Sequence, residues 1–339
     1  MNGNRPATGY LTRGLGAAKW VVIILALALL HVLPWTIPTH FTHMMIMIFI
    51  FTIMGQGWNV LGGYVGQFSF GHALFFGIGA YTSTLLFMHL SLSPWFGIII
   101  ACTASIAVGL FVGLLSFRYG LRGPFFALIM LAFAEIFHIT FTTWEAVGGS
   151  LGLLIPLSGN APLIMQFSSK IPFYYISLWF MVGALYVVWR FEKSRTGLYF
   201  LAVREDKDAA EALGVNTFKS QMVAMAISAG MTAIGGTIYA QYLLYIDPDI
   251  TFGVINSVEI MIRPIIGGPG TVLGPLLGSV VLTPLSEFTR EVFQAYSGVY
   301  LMIYGVVLVV VIMFLPGGIT GFAAGMFKKF AHAKRNHTG

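Results

Sequence analysis

Stretches such as "GVYLMIYGVVLVVVIMFLP" (298–316) and "PFFALIMLAFAEIFHITFTTW" (124–144) recur along this chain with little between them. Wound as an α-helix, about twenty apolar residues match the ~30 Å hydrocarbon core of a bilayer. Of the 339 residues, 57% are hydrophobic and 9% charged. A soluble domain carries roughly 25% charged residues, so this chain has too few to coat a water-facing surface. The apolar residues run on without alternating, which argues against barrel strands. The expected fold is all-α, a polytopic membrane helical bundle.

Ten spans fit the pattern: 20–37, 41–63, 68–90, 95–117, 124–144, 172–189, 220–245, 251–268, 271–288 and 298–316. With the N-terminus inside, fifteen of the eighteen Lys and Arg fall on the cytoplasmic side. Lys170 and Arg290 fall in outer loops and Arg263 lies within a span. Positive residues gather in cytoplasmic loops, so this asymmetry sets the orientation, with both termini inside. The surplus behind the pI of 9.4 is therefore loop charge rather than a nucleic-acid surface. The resulting division is a tail at 1–19, a membrane-spanning domain at 20–316 and a tail at 317–339. The pieces 251–268 and 271–288 either span twice or form a re-entrant hairpin; their flanks lie on the same side in both cases. The first run, "WVVIILALALLHVLPW", follows Arg5, Arg13 and Lys19 as in a signal peptide, but no small-residue cleavage site follows it. It reads as a retained span. The single cysteine, Cys102, excludes an intrachain disulfide and is expected to pack as a small hydrophobe.

Glycine and polar residues interrupt the apolar pattern in two places. "GGYVGQFSFGHALFFGIGAY" (62–81) opens with Gly62, Gly63 and Gly66, followed by Gln67, Ser69 and His72. An unwound break over 62–66 is expected, and such backbone persists at membrane depth only inside protein or beside water. Gln67, Ser69 and His72 serve either interhelical packing or the lining of a translocation path. A second glycine group, Gly267, Gly268 and Gly270 in "GGPGT", separates the eighth and ninth spans. "LGGYVGQFSFG" (61–71) and "IGGPGTVLGPLLG" (266–278) faintly echo each other, as internal repeats of transporters do.

Three charged groups stand out. Glu135 is a carboxylate inside a span, costly enough to require a partner or a cavity, and His138 shares its helical face. Glu259 and Arg263 are spaced to pair along one helix turn, in the favoured order. Pro264 follows at once and is expected to kink or break that helix. Either group serves structure or the path. The segment 190–219 carries five of the twelve acidic residues and six basic ones. Within it, "DAAEALGV" (208–215) predicts a short helix capped by Asp208 and ended by Gly214 in the left-handed conformation. Ala209, Ala210, Ala212 and Leu213 form its small apolar face, suited to the groove of another protein.

Enzyme signatures are missing. There is no phosphate-binding G-x-x-x-x-G-K-[ST] loop, no H-E-x-x-H, no Cys–His set for zinc and no G-x-S-x-G elbow. Ser69 and His72 lack a third orienting group, which disfavours an intramembrane hydrolase. A self-contained secondary transporter using Glu135, His138 and Glu259 as an ion or proton relay stays open.

Four segments in order bring a family into view: "GWNVLGGYVGQFSFGHALFFGIGAY", "LRGPFFALIMLAFAEI", "SRTGLYFLAVREDKDAAEALGVN" and "GGPGTVLGPLLG". From about 41 to 317 the chain resembles the LivM-type permease subunit of branched-chain amino acid ABC importers. The resemblance implies a type II importer bundle, a second homologous permease, two cytoplasmic ATP-binding subunits and a periplasmic binding protein. ATP and Mg would then sit on the partner ATPases, with no cofactor or metal in this chain. It also implies that 206–214 is the coupling helix, with Glu205, Asp206, Asp208, Ala209, Ala210, Glu211, Leu213 and Gly214 at the ATPase contact. "DAAEALG" is similar to the EAA-x-x-x-G pattern of importer permeases, with Asp208 in place of the first Glu. "IMIRPII" (260–266) is less uniformly aliphatic than in many relatives, and urea and amide permeases share the architecture. The expected site is a bacterial inner membrane, with lipid around the bundle.

Overall fold

The computed structural model describes residues 21–292 apart from 23, 122 and 158, with isolated positions from 302 and the stretch 318–322. The tail at 1–19, most of the expected span at 298–316 and most of the last tail lie outside the described residues. Among the described residues, seven helices are long and apolar enough to cross a membrane. They are α2 (Thr39–Tyr64), α3 (His72–Leu90), α4 (Pro94–Arg118), α5 (Pro124–Thr143), α6 (Ile171–Glu192), α9 (Thr217–Leu243) and the joined pair α10 (Pro248–Phe252) and α11 (Val254–Gly267). The first expected span appears as a shorter apolar helix, α1 (Ile24–Trp35). The ninth is a helix, α12 (Gly274–Val292), outside the seven. It runs on past 288, so Arg290 falls on a helix rather than in a loop. Two short helices, α7 (Arg195–Glu205) and α8 (Lys207–Ala212), lie between α6 and α9.

The bundle is built around α9, which packs most closely on α4, α3 and α2. Two-thirds (67%) of its apolar window is buried, against 22% for α5, so α9 is core and α5 is flank. Lipid tails are as apolar as leucine, so helices in a membrane associate through close packing of small residues. That is how α3 meets α9: a Cβ on Gly79 would lie 2.3 Å from Ala233 O, and one on Gly236 2.2 Å from Phe76 O. Ser105 Oγ adds a hydrogen bond to Ala229 O at 3.0 Å, and Cys102 Sγ points at Gly230 O at 3.5 Å.

α11 and α12 form an equally tight hairpin. It does not break at Pro264: the helix continues to Gly267, because proline costs only its own missing donor and a clash one turn earlier. The break falls at 268–273, where Gly268 and Gly270 take positive φ of 125° and 74°. The other break is also displaced from its expected position. Asn59–Tyr64 winds as a π-helix, so Gly62 and Gly63 remain helical, and irregular backbone runs over 65–71. Gly66, at φ 76°, is the left-handed residue there.

The segment between α5 and α6 is ordered rather than open loop. Two short 3-10 turns lead to β1 (Leu153–Leu154), which pairs antiparallel with β2 (Tyr245–Ile246), Leu153 opposite Ile246, and a third turn follows at Pro162–Ile164. This two-residue ladder is the sole sheet among the described residues.

Candidate functional site

The basic end of the bundle carries Arg118, Arg190, Lys193, Arg195, Arg204, Lys207 and Lys219. There the segment 190–219 folds as a hook, α7–α8–α9, not as a loop. Ser194 caps α7, accepting from Gly197 N at 3.3 Å. The cap of α8 is Asp206 rather than Asp208. Asp206 is extended (φ −156°, ψ 113°), and its Oδ1 accepts from Asp208 N at 2.9 Å and Ala209 N at 3.0 Å. Asp208 instead lies in the first turn, where a carboxylate favours the helix dipole. Gly214 ends the helix at φ 84°, as its sequence position predicts. Glu211 Oε1 accepts from Thr217 Oγ1, joining α8 to the first residue of α9. Asn216 caps α9 through Lys219 N at 2.8 Å.

This arrangement decides which face is presented. Ala210 turns inward and is buried, so it leaves the expected apolar face. Glu205, Asp208, Ala209, Glu211, Ala212 and Gly214 are exposed. Leu213 projects at 85% exposure. A large apolar side chain beside two alanines, on a helix held at both ends, is a preformed knob.

Behind the hook the π-turn that precedes the first break meets the second break. Asn59 is fully buried; its Oδ1 accepts from Gly270 N at 2.8 Å and its Nδ2 donates to Thr271 O at 2.9 Å. Gln56, one turn earlier, donates to Val272 O at 2.5 Å. Two amides on α2 thus satisfy the backbone of the 268–273 break. The sequence reading passed over both, although an amide pair inside the apolar run "MGQGWNVLGG" is the signal that could have found them.

Ser69 and His72 stabilise the first break. His72 has Nδ1 2.9 Å from Ser69 Oγ and Nε2 2.8 Å from Ser228 Oγ of α9, and all three side chains are buried. Trp58 Nε1 donates to Ser69 O at 2.9 Å. Gln67 is buried beside them, and its backbone N–H donates to Leu61 O at 3.0 Å. His72→Ala removes both bonds and is expected to cost about 1–3 kcal/mol, the range for orphaning buried polar groups. Thermal unfolding of the purified protein checks this; an unshifted Tm would show that the serines anchor the break without it.

Glu135 and His138 meet, and gain a partner from far along the chain. His138 Nδ1 lies 3.4 Å from Glu135 Oε1, and Nε2 lies 2.8 Å from Asp249 Oδ1 on α10. Glu135 is not deeply buried: its side chain is 45% exposed and that of Asp249 is 87% exposed. The opposite holds for Glu259 and Arg263. Arg263 is 1% exposed, its Nη2 3.5 Å from Glu259 Oε2, its Nη1 bonded to Glu259 O and its guanidinium 3.5 Å from the Phe51 ring centre. That pair sits between α11 and α2, inside the protein. Among the described residues no group of three or more His, Cys, Asp or Glu is placed to hold a metal ion.

The chain matches the family described as "Branched-chain amino acid transport system / permease component" over residues 41–333. It is 28% identical over 296 residues to the high-affinity branched-chain amino acid transport system permease protein LivM of Salmonella typhimurium, covering 80% of this chain and 68% of that protein. To LivH of the same organism it is 24% identical over 294 residues, covering 80% and 91%. To the autoinducer 2 import system permease protein LsrC of Salmonella paratyphi B it is 25% identical over 209 residues, covering 58% and 57%. No solved structure matches it. With a family match spanning most of the bundle, the chain belongs to the permease components of branched-chain amino acid ABC importers, multi-pass membrane proteins that are not themselves catalysts.

Proposed function

We propose that this chain forms one side of an importer's conduit in a bacterial inner membrane, both termini cytoplasmic, for branched-chain or related hydrophobic amino acids. A second homologous permease completes the conduit and a periplasmic binding protein delivers the solute. Two cytoplasmic ATPases, holding ATP and Mg, supply the work. The observation that carries the reading is the knob of Ala209, Ala212 and Leu213 on a helix fixed at both ends. Closure of the ATPases moves the α7–α8 hook as a body, and the two glycine breaks let the spans rearrange. Glu135, His138 and Asp249 line the water-filled side, because exposed charges do not stay against lipid and α5 is the least covered span. Gln67, Ser69, His72, Glu259 and Arg263 serve packing. The LivM and LivH relatives support the substrate class, while the autoinducer 2 relative shows that similar sequences serve other solutes.

Leu213→Asp places a charge at the centre of the proposed apolar contact. It is expected to weaken ATPase attachment about tenfold or more, the equivalent of ~1.4 kcal/mol. Gly214→Val meets no steric neighbour, so its effect comes from the left-handed backbone alone. It should reorient the end of α8 and lower uptake per ATP while membrane insertion stays normal. Co-purification of the ATPases and uptake in proteoliposomes read both. Full retention with Leu213→Asp places the ATPase seat elsewhere. Competition by leucine, isoleucine and valine, and none by urea or acetamide, tests the substrate class.

A further inference from the structure

The Arg204 guanidinium lies where the π-turn before the first break meets the second break. Its Nη1 donates to Gly63 O at 2.8 Å. A Cβ on Gly270 would sit 2.6 Å from that same Nη1 and 2.9 Å from Gly63 O. One on Gly66 would sit 3.1 Å from Arg204 Cγ. Two of the six break glycines, Gly66 and Gly270, therefore leave room for this side chain. The bond is charge-assisted, from a planar group to a carbonyl in the π-turn, and is among the stronger single contacts a side chain makes. From the other side, Asn59 Oδ1 holds Gly270 N.

Position along the chain gives the contact its meaning. Arg204 is the penultimate residue of α7, and the α8 cap Asp206 follows two residues later. α8 cannot swing without carrying the end of α7, because Asp206 terminates one helix and caps the other. We infer that Arg204 is a positioning residue of the coupling machinery: a latch that carries displacement of the α7–α8 hook to the junction of both breaks. It acts beside the covalent route from α8 into α9. The first break joins α2 to α3 and the second joins α11 to α12, so one side chain reaches four helices that α8 itself does not continue into. This inference rests on α8 being the ATPase seat.

The test is a double-mutant cycle in the complete transporter, reconstituted with companion permease, ATPases and binding protein. Arg204→Ala removes the bond, and Gly270→Ala pushes the guanidinium out from the opposite side. Each is expected to keep the ATPases attached yet lower solute imported per ATP by at least about fivefold, the low end for coupling between sites. The double variant should be no worse than the worse single one, because both break one contact. Unchanged stoichiometry in Arg204→Ala, or losses that multiply in the double variant, would overturn the latch. Should Arg204→Ala fail to insert, Arg204→Lys decides: its ammonium keeps the charge without the flat plane that fits between Gly63 and Gly270. Wild-type stoichiometry there would also overturn it. Leu213→Asp separates the two readings. If that variant keeps its ATPases, the seat itself is wrong; if it sheds them while Arg204→Ala couples normally, only the latch fails.

Discussion

Alanine at Gly267 is expected to prevent the α11–α12 hairpin from forming. The added Cβ would lie 1.7 Å from Gly274 O and 2.4 Å from Gly274 C, both backbone atoms that cannot rotate away. A Cβ on Gly278, across the same hairpin, would lie 1.9 Å from Arg263 O, so the two helices are closely apposed at two levels and cannot separate at one alone. A loss above about 4 kcal/mol, in the range reserved for such backbone clashes, follows. Two other glycines supply the comparison. At Gly235 the nearest atom is Met54 Cγ at 2.3 Å, a flexible side chain that can move, so alanine there costs less. At Gly183 of α6 nothing lies within 4 Å, and alanine should be neutral or stabilising by roughly 0.5–1 kcal/mol through helix propensity. Thermal unfolding of the three variants should rank them in that order. A Gly267→Ala protein that melts like Gly183→Ala would show that the hairpin opens more widely in the membrane.

Which parts of this fold were readable follows from what a sequence records. Burial in lipid imposes a length, so span limits such as 95–117 for Pro94–Arg118 and 124–144 for Pro124–Thr143 come directly from hydropathy. The glycine at 214 was readable because a left-handed helix end has a local cause. Asp206 against Asp208 was not: both are acidic and both precede an alanine-rich turn. The choice is made by the extended backbone that α7 leaves at 206. Ala210 was misplaced for a similar reason, since the inward side of a six-residue helix depends on what it is folded against. Contacts across long separations carry no local mark at all. His138 finds Asp249 from another helix, and Asn59 finds Gly270 from another loop. The close approach of Gly63 to Gly270 is of the same kind, a contact across two hundred residues with no local mark.

Removing the carboxylate from Glu259 while keeping Arg263 is the second change expected to act strongly. Arg263 is 1% exposed, and its Nε has no partner among the described residues. In Glu259→Ala it retains one backbone carbonyl and the face of Phe51, with its charge uncompensated. Breaking a buried pair from one side costs about 3–5 kcal/mol, whereas replacing both partners with apolar residues of similar volume is often neutral or stabilising. Glu259→Leu combined with Arg263→Met should therefore restore the Tm that Glu259→Ala loses, and ATP-driven uptake with it. The same double variant separates a packing pair from a relay. A carboxylate that moved protons could not be replaced by leucine, and uptake would vanish while the protein stayed folded. A stable double variant without transport would place Glu259 in the path; a stable, transporting one leaves it as the partner that compensates Arg263 where α11 packs on Phe51 of α2.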